Sequence, residues 1–431
     1  MVLFKILAGG FASFIATYVF DSDAGTLTLT KQSETGTNPS WIASNSKDLS
    51  ILYAVNELNP GGFLQSFKVD ADGGLQNIDN VTTGGNGPTF AVQLSSGEVT
   101  AMNFGSPNCS FVATDPQNPL KFLRDSPAIS FPVPAGGPSN PHMSLEVGNE
   151  ILVPDLGADK IWRIGRNGKP GNFKVQGQIN IDKGAGPRHI AVQDNILFTI
   201  HEKTSALTAQ VIPAGPNGTT NPLIANVSIV PADALPGSQF AAAEIILSPV
   251  SKKFPNQLIY VSNRNISPNV TDPKGDTIAI FEFVKGTPGN NRRMVRRAGR
   301  FRPGGRVGWP GFPRPIIING GNANGNKGGN NGANNTNNGA NNNNADQPKA
   351  EDAEENVAGK LVLVAQIPTG LQQIRSMALG RVDDGGDEFL IAGANTVGGV
   401  AVFQRVDGGR NLKLVTRNDD LQNRTSFVFV E

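Results

Sequence analysis

The sequence has a single cysteine, Cys109, in 431 residues. One thiol excludes an intrachain disulfide and any zinc site built on cysteines, so stability has to come from the core. Charge of one sign is also lacking: 37 Lys and Arg face 36 Asp and Glu, a formal net charge of +1. That balance gives no global field to gather nucleic acid or an anionic membrane. No run approaches the ~20 apolar residues of a membrane helix, and no long stretch repeats apolar residues at i, i+3, i+4 and i+7. A G-x-S-x-G nucleophile elbow, a glycine-rich phosphate loop opening a helix and an H-E-x-x-H pair are all absent. What is abundant is turn chemistry, with 51 Gly and 30 Pro in a chain that is 38% hydrophobic. This composition indicates a turn-dense all-β protein.

The N-terminus MVLFKILAGGFASFIATYVFD is apolar, but its lysine sits inside the run and Gly9 and Gly10 break it. It reads as two strands rather than a signal peptide. The sequons at Asn80, Asn108, Asn226 and Asn265 fall in an asparagine-rich chain and carry little weight. A cytoplasmic location is expected.

The chain repeats one pattern: a turn, a short apolar strand, a loop, and a second strand ending in a polar group. NPSWIASNSKDLSILYAVNE (38–57) is followed by GPTFAVQLSSGEVTAMN (87–103), NPHMSLEVGNEILVPD (140–155) and GPRHIAVQDNILFTIHE (186–202). Then come AAEIILSPVSKKFPNQLIYVSNR (242–264) and IRSMALGRVDDGGDEFLIAGAN (374–395). The markers Trp41, Thr89, His142, Arg188 and Glu244 are spaced 48, 53, 46 and 56 residues apart, a period that suits four strands per unit. Six units are explicit. TSFVFVE at the C-terminus and FKILAGG, SFIATYVFD and TLTLTKQ at the N-terminus supply a seventh, which removes exposed sheet edges. The expected fold is therefore all-β: one seven-bladed β-propeller domain over 1–431, with four antiparallel strands per blade and the last blade closed by both termini. The step from Glu244 to Arg375 is 131 residues because 285–357 is foreign in composition. This Arg-, Gly- and Asn-rich insertion cannot bury enough apolar surface to order itself and is expected to be largely disordered. Its arginines are the only feature suited to a polyanion; nucleic acid is not an expected partner, nor is a membrane.

In an antiparallel hairpin the start of the first strand and the end of the second share one end of the sheet. Each unit thus places its first and last polar residues at one mouth of the propeller channel. This gathers Trp41 with Asn56 and Glu57, Thr89 with Asn103, and His142 with Asp155. It likewise gathers Arg188 with His201 and Glu202, Glu244 with Asn263 and Arg264, and Arg375 with Asn395. By strand alternation His189 faces away from Arg188 and is expected to pack. His142, Asp155, His201 and Glu202 match no standard metal-ligand spacing, so no metal is expected.

At these segments the chain resembles the seven-bladed lactonase propellers, which include bacterial-type 6-phosphogluconolactonases and fungal 3-carboxy-cis,cis-muconate cyclases. The matching pieces are NPSWIA with LYAVNE, NPH with VPDLGADKIW, GAGPRHIAV with the following HE, AAEI with YVSNR and TIAIFEF, and KLVLVAQIPTG. The resemblance points to a fungal member and implies a catalytic set of His142, Arg188, Glu202 and Arg264. Two departures stand out: Met143 and Ser144 follow His142 where lactonase members usually carry a second histidine, and blade six reads IRSMALG, with Ile374 before Arg375, where a Pro-Arg pair is typical.

Lactone hydrolysis needs a base for water, read here as Glu202 or His142, and donors for the oxyanion, read as Arg188 and Arg264. Glu244, Arg375, Asp155, His201, Asn103 and Trp41 are read as substrate contacts. The expected substrate is a small anionic lactone or carboxylate, and no cofactor is expected. Three rivals remain at this level: a cycloisomerase that uses the same arginines to hold carboxylates, a non-catalytic propeller that displays the insertion to a partner, and a calcium-dependent propeller lactonase of a different lineage.

Overall fold

A computed structural model describes residues 2–134, 137–286 and 358–430. Apart from two short 3-10 turns, Gly386–Glu388 and Asp407–Gly409, its regular elements are β-strands. They form seven four-stranded antiparallel sheets and one two-stranded hairpin, Thr114–Asp115 with Asn118–Phe122. Blade 1 spans 42–82, blade 2 88–130, blade 3 145–180, blade 4 187–228 and blade 6 374–418. Blade 5 combines 240–285 with 359–368. In blade 7 the C-terminal strand Arg424–Val430 is the edge strand beside Leu3–Gly10, so both chain ends close one sheet, as expected from the sequence. Among the described residues no helix is long and apolar enough to cross a membrane.

The strands show why they sit where they do. Second strands such as Ile51–Asn56 are buried at every position, which a continuous apolar run permits only where both faces meet neighbouring blades. Outer strands such as Thr26–Glu34 alternate with water. The core divides into seven clusters, each joining two adjacent blades. The smallest joins blades 3 and 4, where the third strand of blade 4 buries Thr208 and Gln210.

One irregularity recurs. In five blades the register between the first strand and the second slips near the channel mouth: at Pro88/Phe90, Pro187/His189, Ala242/Ile245 and Ile374/Met377, and at Gly9/Gly10 opposite Arg424 and Ser426. Blade 3 slips too, between the Pro141–Asp155 bridge and the Leu145–Leu152 pair. Such bulges re-aim side chains and recur beside active sites.

Of the insertion read from the sequence as 285–357, residues 287–357 lie outside the described residues, while Lys285 belongs to a strand because it still pairs with Gly359. Its bracketing strands, Thr277–Lys285 and Gly359–Pro368, pair down to Lys285 and Gly359, and Gly286 N–H donates to Ala358 O at 2.7 Å. Thr277, at the other end of this pair, bonds Asn263 at the mouth, so the hairpin ends on the opposite face.

Closure by the C-terminal strand is testable. Phe427 belongs to the buried cluster that includes Phe4, Ile391 and Val400 in the seam between blades 6 and 7. Phe427→Ala should lower unfolding free energy by about 3–5 kcal/mol in urea denaturation. The exposed Val397→Ala should change it by less than about 0.5 kcal/mol.

Candidate active site

The mouth is built from the residues stranded by the bulges and from the ends of the second strands. Arg188 sits in the bulge of blade 4 and Glu202 just after the end of its second strand, while Arg264 ends the second strand of blade 5. The Glu202 carboxylate oxygen Oε2 lies 2.7 Å from Arg188 Nε and 2.8 Å from an Arg264 terminal nitrogen. The first contact is an ion pair off the axis of a hydrogen bond, because Arg188 Nε has no hydrogen-bond partner. Both guanidiniums are seated on backbone at the blade 5 bulge: Arg188 donates to Ala243 O at 2.5 Å and Arg264 to Ala242 O at 3.2 Å. Burial pushes the Glu202 carboxyl up, but the two arginines more than offset this and hold it below the ordinary range. Burial and the facing Arg264 pull Arg188 down to about 9, still charged at neutral pH.

Beside this clamp runs a chain of three buried groups from three blades. His142 Nδ1 lies 3.1 Å from His189 Nε2, and His189 Nδ1 lies 2.7 Å from Glu244 Oε1. Trp41 and Phe90 wall His189 edge-on, with ring centroids 5.4 and 5.7 Å away, and Phe104 does the same for His142 at 5.6 Å. Burial is the main force lowering both imidazoles; for His142 the charges of Arg188, His189, Arg375 and Arg264 add to it. His142 Nε2 has no hydrogen-bond partner among the described residues.

Across the mouth Arg375 pairs with Glu57 at 3.2 Å and lies over the Phe11 ring at 4.9 Å. Ser40 donates to the same Glu57 oxygen at 2.5 Å. Thus Arg188, Arg264 and Arg375 act on one another and on His142 in a single basin.

The matching family model is the lactonase, 7-bladed beta-propeller family, over residues 5–294. The chain belongs to this family. This lactonase propeller is 25% identical over 309 residues to a protein of Arthroderma benhamiae described as "Probable 6-phosphogluconolactonase", covering 66% of this chain and 75% of that one. Among solved structures it is similar to the periplasmic gluconolactonase of Pseudomonas aeruginosa, with a TM-score of 0.67, 15% identity and coverage of 100% and 99% of the two chains. A Lactobacillus plantarum protein gives a TM-score of 0.68 at 17% identity, with both chains fully covered. At these identities the two structures show the shared fold.

The lactonase mouth therefore brings together His142, Arg188, Glu202, Arg264, Glu244 and Arg375, and it corrects four other expectations. Asp155 is fully buried and spends its oxygens on Ser139, the backbone N–H groups of Asn140, Gly157 and Ala158, and Trp162 Nε1; it locks its turn. Asn103 ties Thr83 O to the Asn108 side chain. His201 faces away from Glu202, bonds Thr208 at 2.9 Å and lines a groove of about 580 Å³ with Gln210 and Asn226 in the seam between blades 3 and 4. Trp41 donates to Ala91 O and serves as the wall of His189. The four residues His142, Asp155, His201 and Glu202 accordingly form no common cluster.

His189, expected to pack, instead joins the polar chain. Alternation holds only without a bulge, and the slip at Arg188 lets two successive side chains serve the mouth. Phe11 and Phe104, each directly after the end of a strand, were missed for want of any polar signal.

The Glu202 clamp predicts a pH-dependent stability. Glu202→Gln leaves the buried Arg188 and the partly buried Arg264 without their carboxylate and should cost about 2–4 kcal/mol at pH 7. Because the folded pKa is depressed, this stabilisation is complete above the unfolded value of ~4.3 and is lost as pH falls through the lower folded value. Denaturation of both proteins from pH 7 to pH 3 should show the gap closing below about pH 4.

Proposed function

We propose that the protein hydrolyses a small lactone carrying an anionic arm, of the 6-phosphogluconolactone type. The observation that carries this reading is the convergence of three guanidiniums beside a histidine nitrogen with no partner of its own. Family membership and the description of the Arthroderma relative support lactone hydrolysis.

In this reading His142 Nε2 takes a proton from water as its oxygen attacks the lactone carbonyl. Negative charge developing on the carbonyl oxygen is stabilised by Arg188 or Arg264, donors fixed in advance by Glu202 and by the carbonyls of Ala242 and Ala243. Arg375, braced by Glu57 and Phe11, suits the anionic arm, since a guanidinium fork fits phosphate and carboxylate equally. When the ester bond breaks, the proton returns from His142 to the departing ring oxygen. Glu202, held ionised by two arginines, is a weak base and acts by positioning them.

His142→Asn should lower kcat about 10²–10⁴-fold with KM changed little, whereas Arg375→Met should act mainly on KM. Assays on 6-phosphogluconolactone, simple aldonolactones and 3-carboxymuconate check this. Cyclisation of the muconate without lactone hydrolysis would assign the cycloisomerase chemistry instead, and no turnover of any of them would sink the reading.

Joining Gly286 to Ala358 through a short turn should keep kcat and KM within about twofold, because that hairpin ends away from the mouth. A steep loss of turnover would instead tie residues 287–357 to the chemistry.

A further inference from the structure

We propose that Glu244 and His189 are positioning residues that act through His142, forming a proton relay that lets one nitrogen serve first as base and then as acid. The catalytic use of the relay rests on the lactone-hydrolysis reading above; its protonation state does not.

The hydrogen bonds leave one consistent arrangement when Glu244 is ionised and both buried imidazoles are neutral. A carboxylate only accepts, so His189 must carry its proton on Nδ1, where it donates to Glu244 Oε1 across 2.7 Å. His189 Nε2 is then a lone pair and must accept from His142 Nδ1–H across 3.1 Å. This fixes the free nitrogen of His142, Nε2, as a lone pair, the form a base requires. Glu244 is itself anchored: its backbone N–H donates to Ser262 Oγ at 3.1 Å, and Oε1 also accepts from Ile245 N–H at 3.1 Å. Its second oxygen, Oε2, is buried without a hydrogen-bond partner, so His189 is the one side chain that hydrogen-bonds this carboxylate among the described residues.

The relay matters because of what surrounds each ring. His142 faces Arg188, Arg264, Arg375 and His189, and its hydrogen bond is to a ring rather than to a carboxylate, so an imidazolium there would sit among three guanidiniums. His189 faces Glu244 as well as Arg188 and Arg375, between the uncharged walls of Trp41 and Phe90. A proton taken from water at His142 Nε2 is therefore matched by transfer of the Nδ1 proton to His189 Nε2. The positive charge then rests on His189, against Glu244. His142, still neutral, now carries its proton on Nε2 and has become the acid. As the ring C–O bond breaks, the departing oxygen takes that proton and the His189 proton returns to His142 Nδ1. No proton is gained or lost over the cycle beyond the water consumed.

The test uses the full-length protein and two independent readouts. In ¹⁵N-histidine NMR near pH 7, His142 should be protonated at Nδ1 and His189 at Nδ1 with a bare Nε2. Glu244→Gln removes the charge with little change of shape and should scramble or reverse these tautomers; Glu244→Asp should restore them. In kinetics, Glu244→Gln should lower kcat about 100-fold with KM within about twofold. Because Glu244 raises the proton affinity of the pair, its loss should also move the acidic limb of the pH profile to lower pH, and Glu244→Asp should bring the limb back. Unchanged tautomers in Glu244→Gln would overturn the relay whatever the substrate proves to be. So would a loss of kcat with the acidic limb unmoved, which is what a merely structural role predicts. Should no lactone turn over, the NMR result alone decides the relay and the assays alone decide the activity.

Discussion

The site depends on one backbone constraint, the single-residue slip of the first strand against the second at the channel mouth. A regular strand presents every other residue to one face, so neighbours cannot both reach a common basin. In blade 4 the slip at Arg188 removes that limit: Arg188 meets Glu202 while His189 meets His142 and Glu244. In blade 5 the slip at Ala243 and Glu244 does two things at once. It sends Glu244 towards His189, and it offers the carbonyls of Ala242 and Ala243 to two guanidiniums. The Glu244 amide, displaced from the ladder, is satisfied by Ser262 Oγ, so the bulge strands no buried donor.

Bulges position the charges, and pairing makes them tolerable. Three arginines and three glutamates share a largely dehydrated basin, where an unpaired charge would be costly. Arg188 and Arg264 share Glu202, Arg375 takes Glu57, and Glu244 is answered by a histidine. These partners come from blades 1, 4, 5 and 6, so the basin exists only while the ring is closed. Closure rests on Arg424–Val430 pairing with Leu3–Gly10 and on the aromatic seam of Phe4, Phe427 and Phe429. Stability at the termini and chemistry at the mouth are thereby coupled through the geometry of one ring.

How much of this was legible in the sequence follows from which physical signals survive without coordinates. The blades were readable because turns, apolar strands and polar strand ends recur at a period of about 50 residues, and hairpin geometry then brings His142, Arg188, Glu202, Arg264 and Arg375 to one face. The direction of individual side chains was not. His189 was assigned to the packing side by an alternation that the bulge breaks, and Trp41 was placed against substrate when it walls that histidine. Asp155 and Asn103 sit at strand ends, as the site residues do, but the Asp155 carboxylate and the Asn103 amide nitrogen are committed to neighbouring loops. Strand-end position alone cannot separate a side chain that serves its own turn from one that faces the channel.

An arginine-rich mouth sets a problem for any base inside it. Guanidiniums suited to an anionic substrate also penalise a proton on a neighbouring imidazole, and they hold a neighbouring carboxylate ionised, which weakens it as a base. Glu202 shows the second effect and His142 the first. A carboxylate placed directly on His142 would relieve the penalty, yet it would also compete with the substrate for the arginines. Placing Glu244 one ring further away avoids both outcomes: its charge reaches His142 through His189, and the aromatic walls of Trp41 and Phe90 bound the intervening ring. An anionic substrate adds its own negative charge to the basin, offsets the arginines and raises the proton affinity of His142. If His142 is the base, as proposed, it would thus be strengthened when such a substrate is bound, an effect that needs no movement of the fold.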